Sequence, residues 1–356
     1  MKKTSKIYIA GHKGLVGSAI NKKLKESGFT NIVGKTSREL DLLDATATEK
    51  FFQQEKPEYV FLAAAYVGGI MANNTYRADF IYRNLQIQQN VIYNAYKYGA
   101  KKLLFLGSTC IYPKNANQPM NENELLTHEL EYTNEPYAIA KIAGLKMCES
   151  FNIQYGTNFL SVMPTNLYGP NDNFDLEKSH VLPAMIRKIF LSKSLMENNW
   201  EGIRADLEKR PVEKNDGHTS NEEIVLLLKK YGVFSGKVEL WGTGEPMREF
   251  LWSEDMAEAC IFIMDNVDFK DLAQNKKEIQ NTHINIGTGK DLTIKNLSKI
   301  IAKTLDYKGE ILFDASKPNG TMRKLVDVTK LNDLGWKHNI EIEDGIKKIS
   351  DWYLEN

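Results

Sequence analysis

The sequence predicts an α/β fold: a doubly wound parallel sheet followed by a smaller, mixed α/β C-terminal domain. Three observations predict it. Over the first 165 residues, short β-rich runs alternate with amphipathic helical stretches. The first run leads into a loop with glycines at 11, 14 and 17 that opens the first helix. After Pro164 the alternation stops, and irregular, then charged and helical sequence takes over.

The strand runs are KIYIAG at 6–11, NIVGK at 31–35, EYVFLAA at 58–64, KLLFLGS at 102–108 and NFLSVMP at 158–164. Their apolar and β-branched content suits strands buried on both faces. Helical periodicity fills the gaps at 15–27, 45–54, 76–98 and 136–155. Strands alternating with helices imply parallel pairing, and such sheets take ligands beyond the carboxyl ends of their strands. Residues 1–165 are therefore assigned to the first domain. Residues 166–237 and 290–356 are assigned to a substrate-binding domain with a charged insertion at 191–237. Two later runs, VELWG at 238–242 and HINIGTG at 283–289, are expected to return to the first sheet. A helix is expected near Ser253, with Glu254 and Asp255 in its favourable first turn. IEDGIKKISDWYLEN reads as a closing helix.

Composition narrows the class. The 356 residues are 42% hydrophobic and 26% charged, which suits a soluble protein with a full core. Lys+Arg and Asp+Glu both number 46, so nothing favours a nucleic-acid partner, and any phosphate-bearing ligand needs a local site. The opening MKKTSKIYIAGHKG has too short an apolar run for a signal peptide. The longest apolar stretch, from Tyr59, falls short of the ~20 residues that cross a bilayer. A cytoplasmic protein with no membrane partner is expected. Cys110, Cys148 and Cys260 show neither metal spacing nor a disulfide framework, so no metal is expected.

GHKGLVGSAI at 11–20 sits where a strand gives way to a helix. There Gly11 permits the tight turn, Gly14 lets backbone approach a pyrophosphate, and Gly17 lets the helix pack on the sheet. Helix N–H groups then face the anion, so a dinucleotide is expected. An NAD site usually carries an acid at the end of the second strand, but this chain has Gly34 and Lys35 there. With Lys13 in the loop and Arg38 nearby, the cations suit the 2′-phosphate of NADP. Asp41 and Leu42 in LDLLD are placed beside the adenine.

The strand KLLFLGSTC reaches Ser108, and about thirty residues later NEPYAIAKIAG places Tyr137 and Lys141 one helical turn apart. Beside a nicotinamide these three have a task. Hydride addition to a ketone builds charge on oxygen, and a proton must arrive there. An ammonium one turn from a phenol, together with the positive ring of the oxidised cofactor, is expected to lower its pKa toward the working range. A serine hydroxyl holds the carbonyl oxygen.

The glycine loop, Ser108 and Tyr137-x-x-x-Lys141 resemble the extended short-chain dehydrogenase/reductase superfamily, with its Rossmann-type NADP-binding domain. GHKGLVGSAI, AAAYVGGIMANNTY, LGSTCIYPK, NEPYAIAKIAG, SVMPTNLYGPNDNF, PMREFL and FDASKPNGTMRK are similar to the GDP-L-fucose synthase family, over nearly the whole chain. Its members are GDP-4-keto-6-deoxy-D-mannose 3,5-epimerase/4-reductases. The resemblance implies NADP(H) as cofactor, held by Gly11, Lys13, Gly14, Leu15, Val16 and Gly17 of the loop. Lys35, Asp41, Leu42, Ala63, Ala64, Tyr137 and Lys141 complete that site, with Pro164, Asn166, Leu167 and His180.

For the epimerisation the resemblance implies Cys110 as base and His180 as acid. A thiolate near cations is a competent base, and an imidazole titrates where a donor is useful. The GDP-sugar is implied between the domains, at Ser108, Asn166, Val181, Lys188, Trp241, Arg248 and Lys317. Arg187 is a second phosphate candidate. A homodimer, paired through the helices at 76–98 and 136–155, is expected by analogy.

Two departures bear on the substrate. The family reads Ser-Ser-Cys where this chain has Ser108-Thr109-Cys110, adding a methyl group. The link from Phe190 to Lys237 is also longer than the family's, and it reads equally as a reshaped pocket or oligomer contact and as a solvated decoration. The alternative activity is therefore C4 keto reduction of a related GDP-deoxysugar or GDP-heptose without epimerisation.

Overall fold

The run Ile7–Ala10 (β1) is buried throughout, and alternate side chains leave its two sides. Ile7 and Ile9 enter one hydrophobic cluster, Tyr8 and Ala10 another. A strand like this needs a helical layer on each face, and the chain supplies both. The computed structural model describes residues 1–274, 276–317 and 319–356, with only the backbone at residue 70.

In chain order β1 is followed by α1 (Leu15–Glu26), β2 (Ile32–Val33), α2 (Ala45–Glu55), β3 (Tyr59–Leu62), α3 (Ile70–Thr75), α4 (Arg77–Lys97) and β4 (Lys102–Leu106). Next come α5 (Glu135–Tyr155), β5 (Phe159–Pro164), β6 (Asn166–Tyr168), α6 (Val181–Met196), α7 (Trp200–Lys209), α8 (Asn221–Lys230), β7 (Val233–Phe234) and β8 (Lys237–Trp241). The remainder is β9 (Met247–Trp252), α9 (Ser253–Asn266), α10 (Phe269–Ala273), β10 (Ile284–Ile286), β11 (Asp291–Thr293), α11 (Ile294–Thr304), β12 (Glu310–Asp314), β13 (Arg323–Lys324), α12 (Thr329–Asp333) and α13 (Ile342–Glu355).

Met1–Asn171, Glu249–Lys290 and Lys324–Ile340 form one unit. Its six-stranded sheet has the order β10-β5-β4-β3-β1-β2, every neighbouring pair parallel. The chain leaves β1 toward β2, then returns to β3 on the other side of β1. That reversal opens a crevice at the carboxyl ends of β1 and β3. Helices α1 and α9 contribute to the cluster on one face. Helices α2, α4 and α5 contribute to the cluster on the other.

Asp172–Arg248, Asp291–Arg323 and Glu341–Asn356 form the second unit. Its three-stranded sheet has the order β12-β8-β7, with β8 parallel to β12 and antiparallel to β7. The strand at 238–242 therefore does not return to the first sheet. A short amphipathic run specifies a strand and not its partner, and here β12 takes that edge; β10 does join the first sheet. The charged insertion is also more regular than its sequence suggests. Leu176, Leu191, Leu195, Ile203, Leu207, Ile224 and Leu228 bury one another, so α7 and α8 own a core shared with α6. Among the described residues no helix is long and apolar enough to cross a membrane.

Candidate active site

The glycine loop occupies the crevice at β1 and β3. Gly11 has φ +84°, and a Cβ there would lie 2.9 Å from the Ala64 nitrogen. Ala63 is held to the same place by its N–H, 3.1 Å from the Ala10 carbonyl. A Cβ on Gly17 would overlap the Gly11 carbonyl oxygen. Gly14 is the N-cap of α1 with no side-chain cap, and no acid follows in the first turn. Leu15 and Val16 form that first turn. The free N–H groups and the positive end of the helix dipole suit a pyrophosphate.

Lys13 and Lys35 are both exposed. The carboxylate in their field, Glu39, is taken up by Thr36: it accepts from the hydroxyl at 2.6 Å and from the N–H at 2.8 Å. At Gly34 a side chain would overlap the ring of His12, so an acid where an NAD site would put one would have to displace that ring. The donor set fits the extra phosphate of NADP. Asp41 turns onto its own loop, accepting from Leu43 N at 3.0 Å, and the Leu42 carbonyl accepts from Asn90 Nδ2 at 2.8 Å.

The carboxyl end of β4 carries the next cluster. Ser108 caps a 3-10 turn, Thr109–Ile111, its Oγ accepting from Cys110 N at 3.3 Å. Helix α5 starts with Pro136 in its first turn, which fixes the entry, and Tyr137 follows. The Tyr137 ring meets Phe80 edge-on at 6.2 Å. One turn on, buried Lys141 donates to the Leu106 carbonyl at the end of β4, 2.8 Å away. Its Nζ lies 5.6 Å from the Tyr137 ring centroid.

The electrostatics correct one expectation. Lys141 does not pull the phenol down: burial pushes Tyr137 up, and the neighbouring Cys110 adds to this. The ammonium is committed to a carbonyl, and burial lowers Lys141 itself to about 8. A phenol held protonated is the form a proton donor needs. Cys110 likewise departs from the expected ready thiolate. Burial pushes the thiol up, against the opposing pull of Lys324, the Ser108 hydroxyl and Lys141. Thr109 is buried as well. Pro164 closes β5 opposite Ile286. Asn166 and Leu167 follow in β6 against β9, with Asn166 Nδ2 donating to the Glu249 carbonyl at 2.8 Å.

The second unit carries the remaining residues. His180 is the N-cap residue of α6, exposed, with surrounding protein holding its imidazole below the ordinary value. Val181 opens the helix and is also exposed. Lys188 is buried, donates to the Glu239 carbonyl at 3.4 Å and is pushed down to about 8 by burial. Parallel pairing sets Trp241 opposite Asp314, which brings Lys317 over the indole at 5.9 Å. Trp241 is 56% exposed, an open ring face rather than a core aromatic. Arg248 is half-buried, donates to the Met247 carbonyl at 2.8 Å and is lowered by burial.

Arg187 is not a phosphate ligand. It is fully buried, and its Nε donates to Asp206 at 2.9 Å. It also donates to the carbonyls of Phe174 and Arg210. The partner carboxylate lies in the charged insertion, 19 residues on, where the sequence carried no signal of the pair. Sequence reasoning also passes over Glu249, whose fully buried carboxylate accepts from the N–H groups of Thr288, Gly289 and Val326.

A glycine loop at the switch point of a parallel sheet, with Ser, Tyr and Lys at the next strand end, defines a dinucleotide-dependent oxidoreductase-type site. The chain belongs to the NAD dependent epimerase/dehydratase family, whose model matches residues 7–205 and 213–287. It is 49% identical over 354 residues to GDP-L-fucose synthase 1 of Arabidopsis thaliana, covering 99% of this chain and 94% of that one. Among solved structures it is similar to a GDP-6-OMe-4-keto-L-xylo-heptose reductase from Campylobacter jejuni, at 48% identity and TM-score 0.93, covering 99% and 98% of the two chains. A GDP-D-glycero-L-gluco-heptose synthase from the same organism, in the presence of NADPH, matches at 48% identity and TM-score 0.91, covering 99% of each chain.

Proposed function

We propose that this chain converts GDP-4-keto-6-deoxy-D-mannose to GDP-L-fucose, epimerising C3 and C5 and then reducing the C4 ketone, with NADP(H) as cofactor. The reading rests on one observation above others: Ser108, Cys110, Tyr137 and Lys141 converge at the carboxyl end of β4, in a chain 49% identical to a GDP-L-fucose synthase. NADPH, when bound, supplies the hydride that reaches the ketone carbon. Tyr137 gives the proton to the ketone oxygen. Ser108 holds that oxygen, and Lys141 fixes the tyrosine's surroundings from its anchor on β4. Cys110 removes the protons flanking the ketone, and His180 returns them on the opposite face. The glycine loop, Lys13 and Lys35 hold the cofactor phosphates. Ala63, Ala64, Asp41, Leu42, Pro164, Asn166 and Leu167 complete its site. Lys188, Arg248, Lys317 and Trp241 take the GDP-sugar.

The reading includes a cytoplasmic location, where NADPH and nucleotide sugars meet. It also includes a homodimer through α4 and α5, on which Tyr82, Tyr93, Ile139 and Ile153 are exposed. Sedimentation velocity tests the dimer. The second reading is a GDP-heptose C4 reductase without epimerisation, favoured by the match to the heptose reductase over 99% of this chain, insertion included. Incubating enzyme and keto sugar in deuterated water without NADPH separates the two. Deuterium at C3 and C5 is expected; none there, with reduction once NADPH is added, establishes the second reading.

A further inference from the structure

We propose that Asn319 is a positioning residue for the GDP-sugar: its side chain clamps the turn after Trp241 to the loop that carries Lys317, so that indole and ammonium present one surface. The inference rests on the function proposed above and deepens its nucleotide end. All its parts lie in the second unit. Trp241 ends β8 and Lys317 follows β12, two strands paired in parallel. Backbone joins the two loops at their base, where Gly242 N donates to the Asp314 carbonyl at 2.9 Å. It joins them again where Met247 N donates to the Met322 carbonyl at 2.8 Å. Between those ties the Asn319 side chain makes the connection. Its Oδ1 accepts from Thr243 N at 2.8 Å and from Thr243 Oγ1 at 3.1 Å. A backbone N–H can only donate, so the atom facing it is the amide oxygen. Gly242 has φ +81°, and a Cβ there would lie 2.5 Å from that oxygen, so the turn is shaped around the clamp.

Thr243 stands two residues beyond Trp241, and Asn319 two beyond Lys317. The clamp therefore closes a ring of contacts whose other member is the Lys317 ammonium over the indole, 5.9 Å from its centroid. Both of those side chains are exposed, and a cation–π contact in water is too weak to order two loops by itself. A clamp made before the ligand arrives lowers the ordering cost of binding. The flat ring then takes a planar part of the nucleotide, and the ammonium a phosphate.

Titration calorimetry of the full chain with GDP tests this. In N319A the Kd for GDP is expected to rise about tenfold. N319D keeps the accepting oxygen and is expected to recover most of that loss. With keto sugar and NADPH, N319A is expected to raise KM and to leave kcat within about twofold. Its NADPH affinity is expected to stay at the wild-type value. N319S, too short to reach Thr243, serves in its place should N319A melt early. GDP affinity equal in wild type and N319A overturns the proposal. A loss in N319D as large as in N319A, or NADPH affinity falling in step, does the same. A wild type that binds no GDP defeats the nucleotide reading itself, and the proposal falls with it.

Discussion

Single side chains here are governed more by desolvation than by their nearest charges. Tyr137 shows it: the phenol stays protonated beside an ammonium because the surroundings are dry. Replacing it with phenylalanine removes the proton donor and little packing. Y137F is expected to lower keto-sugar reduction by about 10²–10⁴-fold with an unchanged melting temperature, read from NADPH absorbance. Turnover within a few-fold of wild type refutes the assignment. His283 is the counterpart outside the site. Tyr112 donates its only proton to Asn285 Oδ1 and so must accept from His283 Nε2, 3.0 Å away. That leaves Nδ1 unprotonated and buried. Burial holds this imidazole well below its ordinary value. On acidification through about pH 6.5 the unfolded chain takes up a proton that the folded chain refuses, so stability is lost as pH falls. H283Q is expected to flatten the fall in melting temperature between about pH 7 and 5. Parallel curves for the two proteins count against this account.

At the scale of elements, the strand ends do the positioning. The carboxyl ends of β1 and β3 hold the glycine loop, and the end of β4 meets α5 through Lys141 and Leu106. Lys102, at the other end of β4, acts on a helix terminus. Its ammonium is buried against the carbonyls of Ile263, Met264 and Val267, at the end of α9, and against Asp268. K102M removes the ammonium donor from those carbonyls, of which Ile263 keeps the Val267 N–H. The expected loss is roughly 1–3 kcal/mol in urea unfolding, and no measurable loss disproves the role. Sequence periodicity gives β1 to β5 and helices α1, α2, α4 and α5 within a few residues, and misses the short α3, α10 and α12. The glycine loop and the Tyr-x-x-x-Lys pair are legible because each depends on local spacing. Lys102 is not, because its partners lie some 160 residues away.

Over the whole molecule, the insertion is the feature most changed by the structure. Helices α7 and α8 bury their own apolar side chains, and Asp206 of α7 gathers Arg187 of α6, Arg210 and the Tyr353 hydroxyl of α13. The segment is therefore part of the second unit's framework, and α6, which carries Lys188, is anchored by it. D206A strands Arg187 in a dry interior. The expected cost is roughly 3–5 kcal/mol, with lost hydrogen-exchange protection in α6, α7 and α13. Protection unchanged in those helices rules the anchor out.

By itself the sequence determined the doubly wound sheet, the place of the dinucleotide loop, and the Ser-Tyr-Lys trio, because period-2 and period-3.6 patterns and short motifs act over a few residues. Only the tertiary structure decided which sheet β8 joins and that Arg187 is a buried strut. Each of these depends on a partner distant in sequence and on how much water the fold leaves around a charge.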